Sequence, residues 1–494
     1  MSEQDRRITG REVGIVLGLT CLAALLRFVR LDAQSLWVDE YLWTLTASLS
    51  SVGRIILKSD GYPPTIALLF RGLKAIGLDS DWWLRAPSAL AGTLAVPAAW
   101  RVGRRFLDRR GALVAAGLLA LQPMASWYSQ EAGAYALVML VALLATLCLL
   151  RIREGGGIGA AAAYALSAGI GFGLHYYFIF ILMAQGLYGL FAAVTTPERR
   201  RIWIVTGVLA ALTVGAWAPL FLGDVRGQEE QDAGRTFSML AMPYTAQAFA
   251  GGFAIGPSVR SMHSAVRAGT TPWSVIAGDL MLPGIAILLV AALFLLAFPP
   301  RWDALRVMLA GLCLLPALGP WFNSILGVGY RPRYALTAVP FALIWFAAGL
   351  ATPRRAIVRV LLAALVVIEV IGLARSVTPE HRREDNRSAA ALIAAAGGGD
   401  VVLLGEGADP FARYAQGVDR LVNLDLKKVE DPTRLESELT PVLTGRGDLW
   451  LVLSRPWTED PEGRVEMFLS PRLPLRETRE FAGVTVKRFS REPH

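Results

Sequence analysis

Histidine and cysteine are scarce, at four and three residues in a chain of 494. So few histidines argue against a histidine-rich metal centre. Cys21, Cys148 and Cys313 each fall inside an apolar run, so neither a disulfide framework nor a metal–thiolate site is expected. Charge is also sparse, at 18% of residues against 54% hydrophobic, and mean hydropathy is +0.45. A soluble chain of this length carries more charge and shorter apolar runs, so the composition indicates a polytopic membrane protein. The net charge of +9 does not call for nucleic acid. Its arginines stand beside the apolar runs, where membrane topology accounts for them. There is no internal repeat, and GEGAD (405–409) lacks the complete glycine pattern of a phosphate loop. VGIVLGLTCLAALL lacks a small-residue cleavage site and reads as an uncleaved first helix.

What is abundant is apolar length. At about twenty residues per crossing, roughly eleven spans can be placed. They lie near 12–29, 84–104, 111–127, 133–150, 158–174, 176–194, 202–222, 276–298, 304–321, 334–351 and 356–375. Alternate connections are rich in arginine: RVGRRFLDRR (101–110), RIRE (151–154), PERRR (197–201), PPRWDALR (299–306) and PRRAIVR (353–359). The intervening short turns carry almost none, which is the positive-inside pattern. It predicts a cytoplasmic N-terminus, with the loops after odd-numbered spans and everything past about residue 376 on the outer face.

The first outer loop, 30–83, holds the stretch with most chemistry. Asp39 and Glu40 sit among Trp37, Tyr41 and Trp43, aromatics of the kind that collect where membrane meets water. Leu42, Leu45, Thr46 and Leu49 follow at helical spacing, so the acids open a short helix along the bilayer. A carboxylate there is placed to take a proton from a hydroxyl. Capping of the helix N-terminus accounts for the same two acids. Pro63 and Pro64 then start a second interfacial helix, with Ile66, Leu69, Phe70, Leu73 and Ile76 on one face and Arg71 and Lys74 opposite. A second long outer loop, 224–275, reads as a mobile lid or acceptor-binding loop.

Other outer ends add candidates. Tyr128, Ser129, Gln130 and Glu131 lie between spans three and four, where an acid needs a partner or a function. Arg331 and Arg333 in GYRPRY (329–334) are guanidinium forks suited to phosphate oxygens, or to snorkelling toward headgroups. His175 with Tyr176 and Tyr177 suits a sugar, a metal or an interfacial anchor. The tail, 377–494, changes character: a helix at 388–396, strands at 400–404, 448–454 and 483–489, and helices between them. It predicts a small α/β domain with a largely parallel sheet.

These pieces suit one chemistry. A sugar on a polyprenyl phosphate leaves as a stable phosphate anion and needs no acid. The site must stabilise that anion, by arginines or a divalent ion, and deprotonate an acceptor hydroxyl with one carboxylate. Direct displacement of this kind inverts the anomeric carbon. The rival from another class is a non-catalytic membrane protein, a lipid-linked glycan transporter or a scaffold. A transporter should carry mid-span ionisable groups, and here only Glu369 lies deep in a helix.

The stretches SLWVDEYLW, GYPPTIALLFRGLKAIG, LRAPSALAGTLAVPAAWRVGRRF, WYSQEAGAY, HYYFIFILMAQGLY and RPRYALTAVP occur in an order that resembles the GT-C glycosyltransferases. The likeness is to the protein O-mannosyltransferase and aminoarabinose-transferase type (family 39, PMT-like), over about residues 15–375. It implies a GT-C fold of about eleven transmembrane helices over residues 1–376, followed by a small C-terminal α/β domain. It also implies transfer from a polyprenyl-phosphate sugar to a lipid, glycan or protein hydroxyl at the outer face of a bacterial inner membrane. Asp39 occupies the slot of the catalytic base, with Glu40 beside it. Tyr62 stands where a His or Lys usually precedes the two prolines, and Gly133 where an Arg usually follows Glu131. Arg331, Arg333 and Tyr334 match the arginine-tyrosine entry to a late span. Arg85, Arg331 and Arg333 are the cations left to meet phosphate; Tyr62, Tyr128, Gln130, Glu131, His175 and Tyr334 complete the expected substrate contacts. The one cofactor expected is a divalent cation, Mg or Mn, on Asp39, Glu40 and Glu131.

Overall fold

A computed structural model describes residues 8–57, 62–231, 237–258, 261, 279–299, 301–326, 329–424, 432–445, 447–456, 459–460 and 462–491. The chain divides into two compact units. The first comprises residues 1–31, 46–256 and 277–376; the second comprises 32–45, 257–276 and 377–494.

The first unit is helical. Among the described residues a helix occupies each of the stretches read as a span, from Gly10–Phe28 to Arg355–Ser376. Five are long and apolar enough to cross a membrane: Tyr135–Arg153, Tyr176–Thr195, Ala304–Asn323, Pro332–Ala351 and Arg355–Ser376. A sixth is added if Pro197–Gly215 and Ala218–Asp224, bent by 49°, form one span. The remaining helices are short, as in Ile158–Leu174 and Met281–Leu296, or carry charge, as in Asp81–Phe106. Residues 276–278 of the expected eighth span lie outside the described residues.

Proline revises several boundaries. The third expected span is two helices, Arg109–Leu121 and Pro123–Ser129; Gln122 ends the first and caps the second, whose first turn Pro123 suits. The tenth opens as a 3-10 helix, Pro332–Ala338, before its α-helical part Val339–Ala348. Pro63 and Pro64 do introduce a helix, Thr65–Ala75, which buries Ile66, Ala67 and Phe70 and leaves Ile76 exposed. Part of the supposed lid is anchored. The helix Ala241–Gly251 is buried from Gln247 to Gly251 and packs on Met281–Leu296 and Arg355–Ser376. Residues 232–236, 259–260 and 262–275 of that loop lie outside the described residues.

At the arginine-rich end, Glu12 is buried. It accepts from Trp100 Nε1 at 2.9 Å and pairs with Arg104 at 2.9 Å and Arg109 at 3.3 Å. This ties the helix Gly10–Phe28 to Asp81–Phe106 and to the start of Arg109–Leu121, against which it also packs.

The second unit is built on a five-stranded sheet of order β2-β1-β3-β5-β4. Its strands are β1 (Gly399–Leu404), β2 (Val418–Leu424), β3 (Leu449–Leu453), β4 (Leu475–Phe481) and β5 (Val484–Phe489). β1 pairs parallel with β2 and β3, whereas β5 pairs antiparallel with β3 and β4. The sheet is therefore mixed, which corrects the expectation of a largely parallel one. β2 and β4 are edge strands with mostly exposed side chains; β4 carries four charged residues, and charge at Asp419 and Arg420 interrupts the apolar residues of β2. Alternation along β1 and β3 sends Val402, Leu404 and Leu451 to one core and Val401, Leu403, Trp450 and Val452 to the other. The helix Asn386–Ala395 covers the second face through Ala389, Ala390 and Ile393.

Candidate functional site

Residues 32–45, which in sequence separate two helices of the helical unit, belong to the second unit. The helix Val38–Ala47 places Asp39 and Glu40 in its first turn. Glu40 is fully buried, and its Oε2 accepts the Trp37 N–H at 3.1 Å, the reach-back of a capping box. The same oxygen pairs with Arg383 Nη1 at 3.1 Å. Glu40 thus caps the first turn of this helix. Asp39 is partly exposed on the same turn, and Leu42 and Leu45 are exposed on the helix. Burial, then the carboxylate of Asp409, raises the pKa of the Tyr41 phenol, against the opposing charge of Arg413.

The helical unit gathers most of the other candidates. Gln130 ends the helix Pro123–Ser129, and its amide nitrogen donates to Leu26 O at 3.0 Å and Arg27 O at 3.4 Å. It therefore closes the C-terminus of the first helix. Arg85 is almost wholly buried and donates to Leu31 O at 3.0 Å, just past the same helix end. Glu131 is buried in the turn that follows Gln130. Ser88 steadies that turn by donating to Gly133 O at 3.0 Å. A Cβ on Gly133 would lie 3.4 Å from Glu131 Oε1, an ordinary contact.

An aromatic cluster surrounds His175. Its ring lies 5.4 Å from Tyr135, 5.5 Å from Tyr177 and 5.6 Å from Tyr334, centroid to centroid. Tyr128 extends the cluster at 5.0 Å from Tyr135, and the Arg333 guanidinium lies over the Tyr135 ring at 5.5 Å. His175 caps the 3-10 turn Tyr176–Phe178, its Nδ1 accepting the Tyr177 N–H at 3.2 Å. Its Nε2 is buried without a hydrogen-bond partner among the described residues. Burial, followed by the charge of Arg333, pushes the imidazole from an ordinary 6.5 down to about 3. It is neutral at pH 7. The Thr65 hydroxyl donates to Gly173 O, tying the helix after Tyr62, Pro63 and Pro64 to the backbone two residues before His175.

The structure thus brings Tyr128, His175, Arg333 and Tyr334 together, while Arg331 lies at the head of the same 3-10 helix and is partly exposed. Tyr135 and Tyr330 are additional members: Tyr330 bonds Thr245 at 2.9 Å and stands 6.4 Å from Tyr334. Tyr135, seven residues after Tyr128 in WYSQEAGAY, was legible as a motif member though not as a contact. Arg383 was hidden in HRREDNRS, where a charge run reads as a solvated linker. Among the described residues no group of three or more His, Cys, Asp or Glu side chains could hold a metal ion. Asp39 and Glu40 lie in one unit and Glu131 in the other, and Glu40 is engaged by Arg383.

The fold has solved counterparts. The chain is similar to ArnT from Cupriavidus metallidurans bound to undecaprenyl phosphate, at 15% identity and a TM-score of 0.51, over 96% of this chain and 98% of that one. It is similar to the apo oligosaccharyltransferase of Archaeoglobus fulgidus, at 12% identity and a TM-score of 0.54, over 90% of this chain and 69% of that one. The archaeal enzyme AglB in complex with an inhibitory peptide and a dolichol-phosphate gives 12% identity and a TM-score of 0.51, with the same coverage. No curated protein matches the chain. The protein is a multi-pass membrane protein with the GT-C fold and a small C-terminal sheet domain. Its PMT-like segment is residues 62–219, which match the family described as dolichyl-phosphate-mannose-protein mannosyltransferase.

Proposed function

We propose that this protein is a membrane glycosyltransferase that moves a sugar from a polyprenyl-phosphate donor to a hydroxyl of a lipid, glycan or protein acceptor, with inversion. The observation that carries the reading is the family match over residues 62–219. That segment contains Tyr62, Arg85, Tyr128, Gln130, Glu131 and His175. The bound undecaprenyl phosphate and dolichol-phosphate of the structural relatives support a lipid-phosphate donor.

In this reading Asp39 removes the proton from the acceptor hydroxyl as the oxygen attacks the anomeric carbon. The bond to the phosphate oxygen breaks, and the electron pair leaves on a phosphate that needs no proton. Arg331 and Arg333 stabilise that anion, since a planar guanidinium matches phosphate oxygens. The tyrosines around His175 offer flat apolar faces with polar rims, and neutral His175 adds no charge to oppose Arg333. The positive-inside pattern supports a reaction at the outer face of the plasma membrane, with the N-terminus cytoplasmic and the C-terminal unit outside.

One observation favours the transporter or scaffold reading: Glu369 is fully buried in Arg355–Ser376, with both carboxylate oxygens lacking a hydrogen-bond partner among the described residues. The test is transfer of radiolabelled sugar in proteoliposomes from a panel of polyprenyl-phosphate sugars, wild type beside Asp39→Asn. Transfer by wild type that Asp39→Asn abolishes, with donor binding intact, is the expected result. Equal transfer by Asp39→Asn would remove the base assignment. Absence of donor binding would favour the non-catalytic reading.

A further inference from the structure

The sheet of the second unit has a topological switch point. β1 connects to β2 on one side, and β2 returns past β1 to β3 on the other, so the order reverses between β1 and β3. In sheets of this kind the crevice beyond the carboxyl ends of those two strands is where a ligand binds. Gly405, at φ +93°, makes the turn out of β1, and a Cβ there would lie 2.1 Å from Ser454 O, just past β3. The two loops meet closely.

Here the protein's own chain binds at that crevice. Asn386 Nδ2 donates to Gly407 O in the loop after β1 at 2.9 Å. Arg455, after β3, pairs with Glu384 at 2.7 Å. Residues 383–386, so fixed, hold the segment that carries the acids. Ser35 Oγ donates to Glu384 O at 2.6 Å and accepts from Asn386 N at 3.1 Å. Arg383 N donates to Gln34 Oε1 at 2.8 Å, and Leu36 N donates to the Tyr414 hydroxyl at 2.8 Å. Arg383 ends the relay: its guanidinium lies over the Trp37 ring at 5.8 Å and pairs with buried Glu40. Trp37, Glu40 and Arg383 thus enclose the first turn of the helix on which Asp39 sits.

We propose that the C-terminal unit is a clamp on the acidic loop, and that Arg383 is a positioning residue that fixes the Val38–Ala47 helix, and with it the Asp39 carboxylate, through Glu40. The contribution to catalysis rests on Asp39 being the base; the clamp itself does not. A guanidinium over an indole and against a buried carboxylate sets an orientation as well as a charge, so lysine should replace it only in part.

The test uses full-length protein in proteoliposomes and two readouts: sugar transfer and deuterium uptake by mass spectrometry. Arg383→Met should raise uptake in the peptide 36–47 while β1 and β3 stay protected. It should lower kcat about a hundredfold, as a displacement of roughly 1 Å does, with undecaprenyl-phosphate binding unchanged. Arg383→Lys should recover part of that loss. Glu40→Gln should act like Arg383→Met, and the double variant should be no worse than either, because both break one link. Wild-type uptake in 36–47 for Arg383→Met, or losses that multiply in the double variant, would overturn the clamp. Raised uptake with unchanged kcat would overturn the positioning role. If wild type transfers no sugar, the glycosyltransfer reading fails, and the uptake readout still decides whether Arg383 holds the helix.

Discussion

At the scale of single residues, the two adjacent acids part company. Glu40 is turned inward to the Trp37 amide and Arg383, while Asp39 is partly exposed one position earlier. Spacing alone could not separate them, because neighbouring positions on a helix point about 100° apart and the buried side depends on what packs there. His175 allows a pH prediction. Its imidazole is held at about 3 in the folded protein against an ordinary 6.5. The unfolded chain therefore binds the extra proton between these values, and the stability linked to His175 is present above about pH 6.5 and lost as pH falls toward 3. Thermal melts of detergent-solubilised protein should show Tm falling across that window. His175→Phe should flatten the fall, and an equally steep fall in that variant would place its origin elsewhere.

At the scale of elements, apolar length was readable because a helix in lipid must satisfy its own backbone, and that requirement is local. Breaks and contacts were less so. Pro123 restarts a helix and Pro332 opens a 3-10 turn, details that a hydropathy window averages away. Close approach is a tertiary fact. A Cβ on Gly372 would stand 2.1 Å from the Gly251 carbonyl oxygen, so Arg355–Ser376 and Ala241–Gly251 meet backbone to backbone. Gly372→Ala should cost about 1–3 kcal/mol by overpacking. Gly133→Ala, whose Cβ meets only ordinary contacts, should melt like wild type. Parallel thermal melts check both, and equal Tm values for the two variants would refute the contact. The edge strands β2 and β4 escaped the sequence reading because charged residues break their apolar pattern, and edge pairing needs only a backbone neighbour.

At the scale of the whole molecule, the contact-defined units do not follow chain order: residues 32–45 pack with 377–494 although they precede most of the helices. This predicts that a fragment of residues 377–494 lacks a structural component. A synthetic peptide of residues 32–45 should raise its Tm in a concentration-dependent way, since a ligand of the folded state stabilises by mass action. A Tm indifferent to the peptide would contradict the assignment of this segment to the second unit. By itself the sequence determined the membrane class, the location of the apolar helices and the α/β character of the tail. Each of these follows from composition or periodicity within a window of residues. Only the tertiary structure decided which carboxylate is buried, which tyrosines gather at His175 and Arg333, and that Arg383 reaches Glu40. The Arg383–Glu40 pair and the Arg333 and Tyr334 contacts join positions far apart in the chain, and no local pattern encodes a partner at that distance.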